Sequence, residues 1–151
     1  YAYVLLESPV RPSVEAGRVG WVYRPMDSAA VERAAAYLVG EHDFSSFRAA
    51  QCQAKSPVKT LTHITVSRRG PYWRFEFEAN AFLHHMVRNI VGSLIQVGNG
   101  NQPVTWVAEV LESRERDVAA PTFSPDGLYL AKVDYDERWG LPQLESDLPF
   151  I

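Results

Sequence analysis

Met86-Val87-Arg88-Asn89-Ile90-Val91-Gly92 places an arginine inside a helix-forming run that is otherwise strongly apolar. A guanidinium on such a segment is expected to sit partly or wholly out of water. Unpaired, it would cost on the order of several kcal/mol, so the fold should bring a carboxylate or a phosphate to it. Gly92 lies one turn further along the same face, where a missing side chain lets another backbone or a ligand come close. The ordinary alternative is that Arg88 snorkels from the helix edge or pairs with an acid of its own chain. Tyr1 and Tyr3 share one face of a strand-like start, where rings usually pack into a core but can also form a platform for an extruded base. Cys52 has no Cys/His/Asp arrangement around it, and Ser45-Ser46 lies in no nucleophile elbow. Gly92, Gly98 and Gly100 fall within or at the end of a helix, the wrong place for a phosphate loop, so nucleotide-cofactor enzymes drop out.

Charge is segregated along the chain. The formal net charge is −3, yet from Arg48 to Arg88 there are seven Lys or Arg against two acids, whereas residues 101–151 carry ten acids against four bases. The basic segment could face RNA, or its charges could be the scattered bases of a solvated hairpin. His84 and His85 would point about 100° apart on a helix and have no suitably spaced third ligand, so no metal site is expected. They could instead hydrogen-bond RNA or cap the helix start. No apolar stretch approaches the length of a membrane span, and one cysteine cannot form an internal disulfide. A soluble, reducing, cytoplasmic setting is the expectation, as is a chain excised from a longer one, since it opens directly on a strand-like run.

The elements that must hold these residues can be read from periodicity. Residues 1–7 and Val19–Tyr23 read as strands. A helix is expected over Ala29–Val39, capped by Asp27 or Ser28 at its start and by Gly40 at its end. Lys59–Asn80 reads as a hairpin turning at Arg69-Gly70-Pro71, with Trp73, Phe75 and Phe77 on its buried face. Phe82–Gly98 is the longest helical signal and is apolar around most of its circumference. Another helix is expected from Val104 to about Glu112, a loop over Pro121–Asp126, a strand over Leu128–Tyr135 and an irregular tail from Gly140. One domain of 151 residues, α+β with a mixed or antiparallel sheet and helices packed on one face, is the expected architecture.

The run from Ala79 to Leu94, A-N-A-F-L-H-H-M-V-R-N-I-V-G-S-L, closely resembles the segment of TruA-type tRNA pseudouridine synthases that carries their essential arginine. Tyr1-Ala2-Tyr3, Gly40 to Arg48 and Gly127-Leu128-Tyr129-Leu130 resemble the same family in the same order. The resemblance covers nearly the whole chain.

It implies the C-terminal half of the catalytic domain, a ferredoxin-like or RRM-like unit. Such enzymes isomerise uridine to pseudouridine in the tRNA anticodon stem-loop, act without metal or organic cofactor, and form homodimers. Their nucleophile is an aspartate in an Arg-Thr-Asp-Ala-Gly type motif of the other half, and no such motif occurs in this chain. By resemblance, Arg88 orients that aspartate, Tyr1 packs on the target base, Leu128 walls the uracil pocket, and Arg48, Lys55, Lys59, Arg68, Arg69 and His84 are the RNA-binding candidates. Trp106 and Trp139 leave aromatic material for an interface. The chain alone is expected to be inactive and prone to self-association. The competing reading is a standalone RRM-like RNA-binding or dimerisation module.

Overall fold

The computed structural model describes residues 1–50 and 55–130. Cys52, Trp139, the strand expected beyond Leu130 and the tail from Gly140 lie outside the described residues. Among them, strand β1 (Ala2–Glu7) runs through the middle of a mixed sheet. One side of β1 pairs antiparallel with β5 (Tyr72–Ala79), which continues antiparallel into β4 (Val58–Arg69) and then β3 (Gly40–Asp43). The other side is shared. Strand β2 (Gly20–Val22) runs parallel to the second half of β1, and β6 (Leu128–Tyr129) runs antiparallel to its first half, with Leu128 opposite Tyr3.

The β4–β5 hairpin turns through two residues, Gly70 and Pro71, between the paired Arg69 and Tyr72. Gly70 takes φ +59, which its lack of a Cβ permits, and proline accepts the negative φ that follows in a tight hairpin. Alternation along β5 sends Trp73, Phe75 and Phe77 inward, where they meet Leu5 and Tyr3 of β1. Helices α1 (Ser28–Ala36), α2 (Met86–Gly98) and α3 (Trp106–Ser113) close over this face and complete the main core. Each fully buried Leu or Ile there contributes roughly 1.5–3 kcal/mol. On the opposite face, Ala2, Val4, Leu6 and Val19 form a smaller cluster with Tyr72 and Tyr129 against it. Tyr129 donates its hydroxyl to the Arg18 carbonyl at 2.6 Å, and Tyr72 donates to Glu15, so part of the segment before β2 is tied to this face.

The expected α+β class holds, and the larger differences lie at the end of α1, at β3 and at the start of α2. Asp27 does cap α1, its Oδ1 accepting from Ala29 and Ala30. The helix nevertheless ends at Ala36, because the amides of Tyr37, Leu38 and Val39 reach back only three residues and tighten the last turn. Gly40 is therefore not its cap: with φ +113 it opens β3, whose Gly-Glu-His-Asp sequence has no apolar alternation to announce it. Strand β3 forms because β4 offers it an edge. Helix α2 starts at Met86 rather than Phe82, since His85 adopts a left-handed φ of 60° and the Met86 amide closes a turn on Leu83. Among the described residues no helix is long and apolar enough to cross a membrane.

Candidate active site

Arg88 lies in the first turn of α2 and is half-buried. Its Nε donates to the backbone carbonyl of Phe123 at 2.8 Å. Among the described residues no carboxylate lies within ion-pairing distance of it, and its terminal amino groups have no hydrogen-bond partner. The guanidinium is thus held at one edge and open at the other. A fork presenting two free donors suits bidentate capture of a carboxylate or phosphate.

The segment holding Arg88 runs antiparallel along one face of α2. The Ser93 hydroxyl accepts from the Ala120 amide at 3.3 Å, Asn89 Oδ1 accepts from the Thr122 hydroxyl at 2.7 Å, and Arg88 meets Phe123. Gly92 behaves as its position suggested: a Cβ there would stand 2.7 Å from the Pro121 carbonyl, so its absence lets that backbone approach.

Beside this seat, Tyr3 is fully buried and donates its hydroxyl to the Ser124 carbonyl at 2.7 Å. Its ring centroid lies 5.9 Å from that of Phe123. Room for the ring comes from Gly20 and Gly127, where a Cβ would meet Tyr3 atoms at 2.3 Å and 2.8 Å. Burial pushes the phenol far above its usual range, with the Arg88 charge opposing that shift. Tyr3 is accordingly an anchor of the site's floor. Tyr1 differs: it is half-buried, hydrogen-bonded through its backbone to Phe77, and packed edge-on to Phe82 with centroids 5.0 Å apart. Strand alternation puts Tyr1 on the same face as Tyr3, and pairing with Tyr3 puts half-buried Leu128 there too. Arg88, Tyr1 and Leu128, far apart in sequence, therefore belong to one end of the sheet.

The stacked rings of His84 and His85, 3.9 Å apart, correct their expected helical divergence. The His85 side chain does not cap α2. Burial, His84, Arg88 and Arg116 all push the His85 imidazole below its usual pKa. Among the described residues no group of three His, Cys, Asp or Glu could hold a metal. The basic residues divide. The Ala49 amide donates to the His84 carbonyl and the Thr60 amide to the Asn80 side chain, which brings Arg48, Lys59 and His84 to the Arg88 end, with exposed Lys55 leading into β4 there. Arg68 and Arg69 lie at the hairpin tip, roughly 30 Å away along β4. Arg68 is moreover bound to Glu7 at 2.7 Å and lies over the Trp73 ring. Trp106 packs against the helical core.

Asn89, Thr122 and Arg116 were not singled out from sequence. Arg116 sits in the acidic stretch, and only the tertiary fold brings it to α2, where its Nη2 donates to Asn89 Oδ1 at 3.0 Å.

A sequence model described as tRNA pseudouridine synthase matches residues 34–136. Curated relatives bearing the name tRNA pseudouridine synthase A include one from Polaromonas naphthalenivorans (strain CJ2), 70% identical over 146 residues that cover 94% of this chain and 55% of the relative. Another, from Methylibium petroleiphilum (strain ATCC BAA-1232 / LMG 22953 / PM1), is 61% identical over 143 residues, covering 95% of this chain and 55% of the relative. A third, from Paracidovorax citrulli (strain AAC00-1), is 59% identical over 160 residues, covering 94% and 58%. The chain spans about half the length of the curated relatives it matches. By these matches, the chain belongs to the tRNA pseudouridine synthase family.

Proposed function

We propose that this chain supplies the arginine-bearing half of a tRNA pseudouridine synthase site that acts on uridines of the anticodon stem-loop. The observation that carries the reading is the half-satisfied Arg88, fixed by Phe123 and, among the described residues, with no partner for its terminal donors. The reaction is an isomerisation. The bond from uracil N1 to ribose C1′ breaks, the base turns, C5 bonds to C1′, the C5 proton departs and N1 regains one, so no electrons are gained or lost and no cofactor is required. Arg88 would hold an aspartate supplied from outside this chain, keeping it ionised and aimed at the flipped nucleotide. Tyr1, braced by Phe82, would stack on that base, and Leu128 would wall its pocket.

Phosphate contacts fall to Arg48, Lys55, Lys59 and His84 at the Arg88 end, with Arg69 reaching a more distant part of the RNA. Arg68, engaged by Glu7, is left out of this set. The full protein would work as a cytoplasmic homodimer.

The test is pseudouridine formation on an anticodon stem-loop RNA by this chain alone and by this chain mixed with the separately expressed remainder of the synthase. Activity only in the mixture is expected. Turnover by the chain alone would overturn the claim that the nucleophile comes from elsewhere. RNA binding with no turnover in either arm would favour a binding module.

A further inference from the structure

We propose that Arg116 is a positioning residue for Arg88, acting through the backbone of the segment Ala120–Phe123. The inference rests on the catalytic reading of Arg88. Arg116 Nη1 donates to the Ala120 carbonyl at 2.9 Å, and Arg116 Nη2 is shared between Asn89 Oδ1 at 3.0 Å and Thr122 Oγ1 at 3.2 Å. Thr122 in turn donates to the same Asn89 oxygen at 2.7 Å, while the Asn89 amide donates to the Phe47 carbonyl at 2.8 Å.

The placement of this network matters more than its size. Asn89 is the residue after Arg88, and Thr122 is the residue before Phe123. The clamp therefore grips the immediate neighbours of both partners in the Arg88–Phe123 bond. An extended segment could be seated on a helix by apolar contacts alone, but these would leave its carbonyls free to slide along the helix face. A planar fork that reaches three acceptors fixes translation and tilt together, which a lysine with its compact ammonium cannot reproduce. Asn89 is fully buried and its oxygen accepts two hydrogen bonds, so the network forms one unit. Reactive groups must be held to about 0.5 Å, and a misplacement of about 1 Å can cost roughly 100-fold in rate.

The experiment uses the full-length synthase containing this chain, with release of tritium from C5-labelled uridine in an unmodified tRNA transcript as the rate measurement. Arg116→Ala should lower kcat roughly 10- to 100-fold while KM for the transcript stays within about twofold. Arg116→Lys should recover only a small part of the loss. A second readout follows the Arg88 Nε–H by nitrogen-15 NMR, and its exchange with water should rise at least about tenfold in Arg116→Ala, because the carbonyl that shields it is no longer held. Should Arg116→Ala fail to fold, Thr122→Val, which keeps the side-chain shape and removes the hydroxyl, decides the question by the same two readouts. Turnover within about twofold of wild type with an unchanged Nε–H would overturn the positioning role, whatever happens to stability. Arg88→Ala run alongside separates the two claims. An inactive Arg88→Ala beside a fully active Arg116→Ala sinks only the positioning role, whereas retained turnover in Arg88→Ala sinks the catalytic reading itself.

Discussion

The two ends of the β4–β5 hairpin treat their arginines in opposite ways. At the tip, Glu7 is almost buried, with 12% of its side chain exposed, and every contact it makes is internal. One carboxylate oxygen accepts from the Met26 amide at 2.8 Å and the Trp73 indole at 3.3 Å, and the other from Arg68 at 2.7 Å. The Arg68 guanidinium also lies over the Trp73 ring, 5.0 Å from its centre. At the other end, Arg88 is anchored through one nitrogen to a carbonyl and meets no carboxylate among the described residues. Both arginines border aromatic side chains and both come from the basic part of the sequence. What separates them is whether a counter-charge is supplied from among the described residues. A cation completed internally is architecture; one left half-bonded beside partly buried aromatic rings is the place where the proposed partner would bind.

The sharpest way to break this contrast is to remove each arginine from the full-length synthase. Arg88→Ala should lower turnover by roughly 100- to 1000-fold, the scale of losing one preorganised charge contact. Arg68→Ala should leave turnover within about threefold and lower stability by about 1 kcal/mol, a figure kept small because Arg68 is more than a third exposed. Equal losses of turnover would erase the distinction between the ends. Urea unfolding of Glu7→Ala tests the closed end more severely. That substitution strips acceptors from Met26, Trp73 and Arg68 together and should cost about 3 kcal/mol. Gly92→Ala probes the open end through packing alone. Its Cβ would press on the Pro121 carbonyl at 2.7 Å, so a loss of about 1–3 kcal/mol is expected in the same assay, together with slower turnover as the segment bearing the Phe123 carbonyl shifts.

Much of this fold was legible because its signals are local. The alternation of Trp73, Phe75 and Phe77, the Gly70-Pro71 turn, the Asp27 cap and the apolar circumference of α2 each follow from a few adjacent residues. What escaped depends on distant partners. Strand β3 has no pattern of its own and exists by pairing with β4. The start of α2 was misplaced because nothing in His84-His85 announces a left-handed residue. The site divides in the same way. Arg88 and the Gly92 notch stand out within one helix, and the roles of Tyr1 and Leu128 came from resemblance to a family. Arg116 was hidden in an acidic stretch, 27 residues from the asparagine it bonds.

The left-handed His85 supplies the mildest test of how cationic the open end is. Burial and the neighbouring His84, Arg88 and Arg116 all disfavour its imidazolium, so the folded state binds its proton more weakly than the unfolded chain does. Above about pH 6.5, the ordinary histidine value, the ring is neutral in both states and its contribution to stability is fully present. As the pH falls through that value the unfolded chain takes up the proton first, and stability declines until the folded ring also titrates. Asparagine tolerates the same φ of 60° without titrating, which makes His85→Asn the fitting comparison. Urea unfolding of both proteins at pH 7.5 and pH 5.5 should show the wild type losing more stability on acidification than the variant. A difference between them that does not change with pH would mean that His85 does not sense the cluster around Arg88. Its sign also bears on the contrast between the ends. After burial and His84, the Arg88 charge is part of what opposes His85 protonation, so binding of a carboxylate to Arg88 should relax that part of the effect and move the His85 pKa upward.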